Sequence, residues 1–395
     1  MRLGDRRRLR RDPLEYVEDL RRHSATEVIL LPGGGWFLGD AEQARALLRD
    51  QEFNAGRSGF FGDLLPTRSA QVEVGHAVRD VLRAHLPDYR AALASAVAGL
   101  PSADRWPAAG NRLVYRCLAD LLLHPGTPAG TRRCADRAAD AGVVFRAPRV
   151  WQRARAEVAR ARVIAALTEE VRCRGRRRVG EPRDVLDALL GACPDDLADR
   201  TVARVHLMMS RAVAAPVAAS LAWSVLLACL HHTAGSDWPW PADRIVREAS
   251  RYRPIPWMLR RTVLYPTTLG GTSLRAGDLV SVSPHLLHHD RHRWTDPDAF
   301  RPERWEQSDG QGPYIAFGAG PFACPGASVA QTLVTEALTA LAEGTRLTVT
   351  GGDTRPVMSE GIVPRPFTLH RGRIEQAPRH RKEVNDHGHD AATHL

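Results

Sequence analysis

The sequence predicts a mainly α fold with a small β region, and three features carry that expectation. Helix-type apolar spacing runs from about Val72 to Arg211 and continues into an apolar stretch, Ala212 to Leu230. Strand-like segments are short and sit around a Gly-rich turn near the start and beyond residue 262. A further clear helix, about Ala327 to Glu343, follows a Gly- and Pro-rich loop.

Taken in order, residues 13–24 read as a helix. Glu27–Leu31 and Trp36–Leu38 flank Pro32-Gly33-Gly34-Gly35 and read as a β-hairpin. Asp40 suits the N-cap of a helix over Ala41–Arg49, because its carboxylate can accept an N–H that the first turn leaves unpaired. Pro101, Pro107, Pro125 and Pro182 break the long helical region, since proline lacks an N–H and clashes with the preceding turn. Asp184-Val185-Leu186-Asp187-Ala188-Leu189-Leu190 is amphipathic and follows such a break.

The apolar stretch Ala212–Leu230 is long enough to cross a bilayer. It is rich in Ala, contains Pro216 and stands alone, so it reads instead as a central buried helix ending near His231 and His232. A helix over 242–253 is stopped by Pro254 and Pro256. Thr262–Leu264 and Leu279–Ser283 read as strands separated by turns at Gly270-Gly271 and Ala276-Gly277-Asp278, and 346–350 and 365–370 as two more. The expected organisation is a basic N-terminal extension over 1–12, one domain over 13–372, and a polar, disordered tail over 373–395. Scattered tail histidines (His380, His387, His389, His394) do not make a metal site.

With 44% hydrophobic and 25% charged residues in 395, the composition is that of a globular protein. The net charge of +10 is dispersed, without a nucleic-acid motif, and no nucleic-acid partner is expected. Two clusters, Arg6–Arg11 and Arg174–Arg178, read as solvated surface, with steering of an acidic protein as the functional alternative. Six cysteines form no CxxC pair, so zinc and iron–sulfur frameworks are not indicated. MRLGDRRRLRRD lacks the apolar core of a secretory signal. Reduced thiols, a cytoplasmic location and no membrane association follow as expectations.

Chemistry concentrates in Phe317-Gly318-Ala319-Gly320-Pro321-Phe322-Ala323-Cys324-Pro325-Gly326, directly before a helix. Glycines permit a tight turn and close approach to a flat group. Successive N–H groups can converge on one sulfur, and a helix start adds positive potential; both favour thiolate over thiol. A thiolate on haem iron favours O–O cleavage. Glu248 and Arg251 share a helix face at i, i+3, and a second Arg can fill the remaining lone pairs of the carboxylate.

These segments resemble the cytochrome P-450 family. The Cys324 loop resembles its FGxG…CxG cysteine loop, Glu248-Ala249-Ser250-Arg251 its ExxR signature, and Phe300-Arg301-Pro302-Glu303-Arg304-Trp305 its PERF-type motif. Arg251 lies 73 and Arg304 20 residues before the cysteine, in the family's order. Ser283-Pro284-His285-Leu286-Leu287-His288-His289-Asp290 resembles the stretch between them; its histidines lack an HExxH pattern.

The resemblance implies the family's fold and haem b, with Cys324 as iron ligand and Phe317, Gly318, Gly320, Phe322 and Gly326 in the cofactor loop. It implies a buried triad of Glu248, Arg251 and Arg304. Arg260 or Arg261 would meet a haem propionate, and His76 and Arg79 resemble the family's upstream propionate pair. It further implies a small hydrophobic substrate, from specialised metabolism, held by Leu207 to Ala219 and the loop Gly361–Pro364, and an acidic ferredoxin with its reductase.

The chain departs from the family pattern twice. Phe322 stands two residues before the cysteine, where the family has His or Arg. Counting back from Leu221-Ala222-Trp223, the central helix has Ala215 and Pro216 where the family has an acid and Thr that deliver protons for oxygen activation. Neither can relay a proton, and a residue's shift in register restores nothing, because Ala212 to Ala219 holds no acid or hydroxyl. Three enzyme readings therefore stand: a monooxygenase using another proton source, a peroxide-driven enzyme, or oxygen-independent chemistry (rearrangement, dehydration or nitrene-type transfer). Outside catalysis stands a haem-binding, partner-recruiting protein, against which a retained Cys324 and triad argue.

Overall fold

The computed structural model describes residues 8, 11–24, 26–31, 34–145, 150–175, 180–232, 238–306, 312–358 and 361–373. The expected basic extension and polar tail therefore lie largely outside the described residues, as do Pro32-Gly33 and Arg176–Arg178.

Among the described residues twelve α-helices surround and include one central rod. They are α1 (Pro13–His23), α2 (Ala41–Arg49), α3 (Arg68–Ala84), α4 (Leu86–Ala98), α5 (Ala108–Leu122), α6 (Ala129–Asp140), α7 (Val150–Arg174), α8 (Val185–Ala192), α9 (Asp199–His231), α10 (Ala242–Tyr252), α11 (Pro284–His288) and α12 (Ala327–Ala342). The strands are β1 (Val28–Leu30), β2 (Trp36–Leu38), β3 (Ala103–Trp106), β4 (Leu259–Thr262), β5 (Thr267–Leu269), β6 (Thr272–Leu274), β7 (Leu279–Val282), β8 (Thr345–Thr350), β9 (Pro356–Met358), β10 (Ile362–Pro364) and β11 (Phe367–Arg373).

The rod is α9, 33 residues and thus about 50 Å long. It packs against α5, α7, α8, α10 and α12, so apolar residues are buried on every side, Ala218, Leu221, Ala222, Trp223 and Val225 among them. In its most apolar 18-residue window 72% of the residues are buried inside the fold, which accounts for a composition resembling a membrane span. One apolar core extends from Phe61 through α9 to Leu369.

The main sheet has the order β1-β2-β7-β4. β1 and β2 form the expected hairpin, Val28 opposite Leu38. β2 then pairs in parallel with β7, Trp36 opposite Val280, and so joins the first 40 residues to the far half of the chain. β4 pairs antiparallel with β7, Arg261 opposite Val280. It occupies 259–262, three residues ahead of the expected strand start, because its register follows β7. β3, β11 and β8 form a second sheet, while β5–β6 and β9–β10 are isolated hairpins. Asp40 caps α2 as expected, its side chain accepting the Gln43 N–H at 2.8 Å.

Candidate functional site

The Cys324 loop folds back on itself through three backbone bonds. Gly318 N–H donates to Ile315 O at 2.9 Å, Ala323 N–H to Gly320 O at 3.0 Å, and Cys324 N–H to Phe317 O at 2.9 Å. Gly318 and Gly320 have φ of +78° and +67°, a region that disfavours side chains. Gly320 is fixed by contact as well: a Cβ there would lie 2.1 Å from the carbonyl oxygen of Leu48, at the end of α2. Gly326 then precedes α12, its carbonyl accepting from Ala330 at 2.8 Å.

The loop thus sets Cys324 two residues ahead of Gly326, which precedes the 16-residue α12, at an exposed position of the chain. Cys117, Cys193 and Cys229 are buried instead. Surrounding protein pushes the Cys324 thiol up, while the Gly326 N–H acts on the sulfur in the opposite sense.

Glu248 organises the ground beneath this loop. It is completely buried on α10. Its Oε1 accepts from Arg251 Nη2 (2.8 Å), Arg301 N (2.9 Å) and Arg304 Nε (3.0 Å), and its Oε2 from Arg251 Nε (3.0 Å) and Trp305 Nε1 (3.0 Å). The 3-10 turn Pro302–Trp305 brings Arg304 to the carboxylate. Arg251, equally buried, also donates to the carbonyls of His288, Pro297 and Ala299 at 2.8–3.0 Å.

His288 extends this network to the cysteine. Its Nε2 accepts the Ile315 N–H at 2.9 Å, so its Nδ1–H donates to Arg251 O at 3.0 Å. Burial and the charge of Arg251 push its pKa down to about 3, keeping it neutral. His285 faces Glu18 at 2.7 Å and His289 Nδ1 faces the His285 carbonyl at 2.9 Å. These histidines brace α11, and among the described residues no cluster of three or more metal-ligating groups occurs.

β4 turns its two arginines to opposite sides. Neighbouring strand residues face opposite sides; Arg260 is exposed and Arg261 is 6% exposed. Arg261 Nε donates to Asn54 Oδ1 at 2.5 Å and Nη1 to the Arg260 carbonyl at 3.0 Å, while its buried Nη2 has no partner. Burial and the nearby charge of Arg68 push its pKa down to about 10. Arg261 lies 4.9 Å from the ring centre of Phe322, and Arg68 lies 3.9 Å from the same ring. Arg68 Nη2 also donates to Pro321 O at 2.7 Å.

His76 is exposed, and Arg79 is held by Asp80 through two bonds of 2.8 and 2.9 Å. Among the described residues neither bonds the Cys324 loop. α3 does approach that loop, but through Gly75, where a Cβ would lie 3.0 Å from Pro325 Cγ, and through Arg68 at its start. Arg68 and Asn54 carry no spacing signal; their partners are 253 and 207 positions away.

On α9, Ala212, Val213, Ala215 and Pro216 are only half-buried, amid buried neighbours. Pro216 has no N–H, so the Ala212 carbonyl lacks its helical donor. Of the flanking hydroxyls, Ser210 is bonded to His206 O at 2.9 Å, and Ser220 lies one turn past Pro216. Trp223 Nε1 donates to Ile362 O at 3.2 Å, which draws β10 across the helix. Gly361 fits under this crossing, where a Cβ would lie 2.4 Å from Ile255 O.

A sequence profile of the cytochrome P450 family matches residues 242–369. Cyclooctatin synthase from Streptomyces melanosporofaciens is 30% identical over 228 residues, 50% of this chain and 48% of that one. Cyclooctat-9-en-7-ol 5-monooxygenase from the same organism is 32% identical over 114 residues, 28% and 25% of the two chains. The alignments thus span about half, or less, of the curated relatives' length. A zebra fish cytochrome P450 with progesterone superposes with a TM-score of 0.72 at 19% identity, over 91% of this chain and 99% of that one. The open cytochrome P450 Eryk from S. erythraea gives 0.71 at 21% identity, over 92% and 97%.

Proposed function

We propose that the chain, whose residues 242–369 match the cytochrome P450 family profile, is a single-domain haem-thiolate oxidoreductase of that family. The sulfur of Cys324 would hold its iron, and its substrate is a small hydrophobic molecule of specialised metabolism. The observation that carries this reading is the placement of Cys324 just ahead of α12, on a loop whose turn is set by Gly318 and Gly320 at positive φ.

Haem b needs a soft anionic donor for iron and cations for its carboxylates. Cys324 would be the donor, and Arg261, with a buried unpartnered Nη2, would be the cation. The residues present therefore fit the group. Bound there, the group would supply oxidising chemistry of the kind a thiolate ligand favours.

The chain's own residues do the rest. Glu248, Arg251 and Arg304 fix the frame from which His288 holds Ile315, three residues before Gly318. Half-buried Ala212, Val213, Ala215 and Pro216, with the Gly361–Pro364 segment across α9, offer an apolar wall for the substrate. Two Streptomyces relatives whose names concern cyclooctatin chemistry support the specialised-metabolite assignment. The electron donor we assign is an acidic ferredoxin with its reductase, which suits a chain of net charge +10. The free cysteines suit a cytoplasmic setting.

A second reading rests on Ala215 and Pro216, which cannot hold or move a proton. It makes the enzyme peroxide-driven, or oxygen-independent in a rearrangement, dehydration or nitrene-type transfer. The deciding experiment is the spectrum of the reduced protein with carbon monoxide, for wild type and Cys324→Ala. A strongly red-shifted Soret band confined to wild type is expected; identical spectra would sink the assignment. Product formation with peroxide, compared with ferredoxin, reductase and oxygen, then separates the two readings.

A further inference from the structure

Arg68 and Arg261 place two guanidiniums on one aromatic ring, that of Phe322, at 3.9 and 4.9 Å from its centre. Among the described residues no carboxylate bonds either one: Arg68 donates to the carbonyls of Gly56 and Pro321, and Arg261 to Asn54 Oδ1 and the Arg260 carbonyl. Two like charges side by side repel, and one of them is 6% exposed with an N–H unpaired. An aromatic face attracts cations through its quadrupole without adding charge. The same ring sits two residues before Cys324, and Arg68 also bonds the residue next to it, Pro321, at 2.7 Å.

We infer that Phe322 is a positioning residue: its ring holds Arg68 and Arg261 together as a paired cation that receives the haem carboxylates, where the family pattern has a His or Arg. The inference rests on the haem-thiolate reading above. A third cation at 322 would add repulsion; a phenyl ring gathers two existing cations and occupies none of their N–H groups. Arg261 Nη2 is the donor kept for the carboxylate, and Arg68 ties the arrangement to the cysteine loop.

The test uses the full-length holoprotein and follows haem loss to an excess of a haem-scavenging apoprotein. Phe322→Leu, at a half-exposed loop position, is expected to lose haem about tenfold faster than wild type, the size of two weakened cation–π contacts. Its reduced carbon monoxide band should persist, since Cys324 is untouched. Phe322→Trp should restore the slow rate. In an Arg261→Gln background Phe322→Leu should add little, and in protein loaded with haem dimethyl ester, which has no carboxylates, it should add nothing. Equal rates for Phe322→Leu and wild type, or an undiminished effect with the ester, overturn the inference. Absence of the thiolate band from wild type instead overturns the haem-thiolate reading itself.

Discussion

Replacing Glu248 by Gln exchanges one oxygen for an NH2 group and removes one charge, with almost no change in volume. Every hydrogen-bonding direction around this carboxylate is filled by a donor: three on Oε1 and two on Oε2. Whichever way the amide is turned, its NH2 meets at least two N–H groups that were donating. Two arginines, Arg251 fully buried and Arg304 nearly so, lose their counter-charge together. Removing one member of a buried charge set costs about 3–5 kcal/mol. At about 2 °C per kcal/mol, suited to a long chain, the unfolding temperature should fall by roughly 6–10 °C. Because Arg251 O holds His288 and His288 holds Ile315, haem content should fall too. Differential scanning calorimetry and the haem-to-protein ratio measure both. A fall under about 2 °C with full haem content would refute the view that this carboxylate is the keystone of the network.

Other outcomes follow from the same geometry. Gly320→Ala must place a Cβ 2.1 Å from Leu48 O at a φ of +67°, and should destabilise by more than ~2 kcal/mol, read as a lowered denaturation midpoint; a wild-type midpoint would contradict the contact. His288, with a folded pKa near 3, stays unprotonated where the unfolded chain binds a proton below about 6.5. Its contribution is therefore complete above that value and drains as pH falls toward 3, by up to ~1.4 kcal/mol per pH unit. His285 and His289 are lowered in the same direction. Urea midpoints at neutral and mildly acid pH should show the decline, and a rise would contradict it. Installing Ala215→Asp with Pro216→Thr should raise product formed per reducing equivalent with ferredoxin and oxygen by about tenfold; no change would remove the proton-relay gap as an explanation.

Local chemistry was legible wherever the partner lay close in sequence. Asp40 and Gln43, three residues apart, announce the start of α2. Glu248 and Arg251 sit one turn apart on α10, and the order of three motifs supplied Arg304. Legibility fails where the deciding contact is distant. Arg260 and Arg261 are equivalent until β7 settles which faces inward. Arg68 is an unremarked base at a helix start until Phe322 arrives from 254 positions on. His76 and Arg79 matched the family's upstream pair only with imperfect spacing, and in the fold Asp80 pairs with the arginine while the histidine is exposed on α3. β3 has no alternating pattern of its own and exists because β11 pairs with it.

The parallel pairing of β2 with β7 has a consequence for how the protein is made. Trp36–Leu38 finds its sheet neighbour only when Val280–Val282 has been synthesised. At roughly 5–20 residues per second, the first strands wait on the order of 10–50 s for that neighbour. α1 waits as long for His285, which meets Glu18, and the end of α2 waits longer still for Gly320. During this interval the hairpin leaves an unpaired β2 edge facing the cell, while α3 to α9 can already gather around their own core. This segment is thus translated well before its partners and is among the last to dock, and a pause in translation before residue 280 would prolong the exposure of that edge.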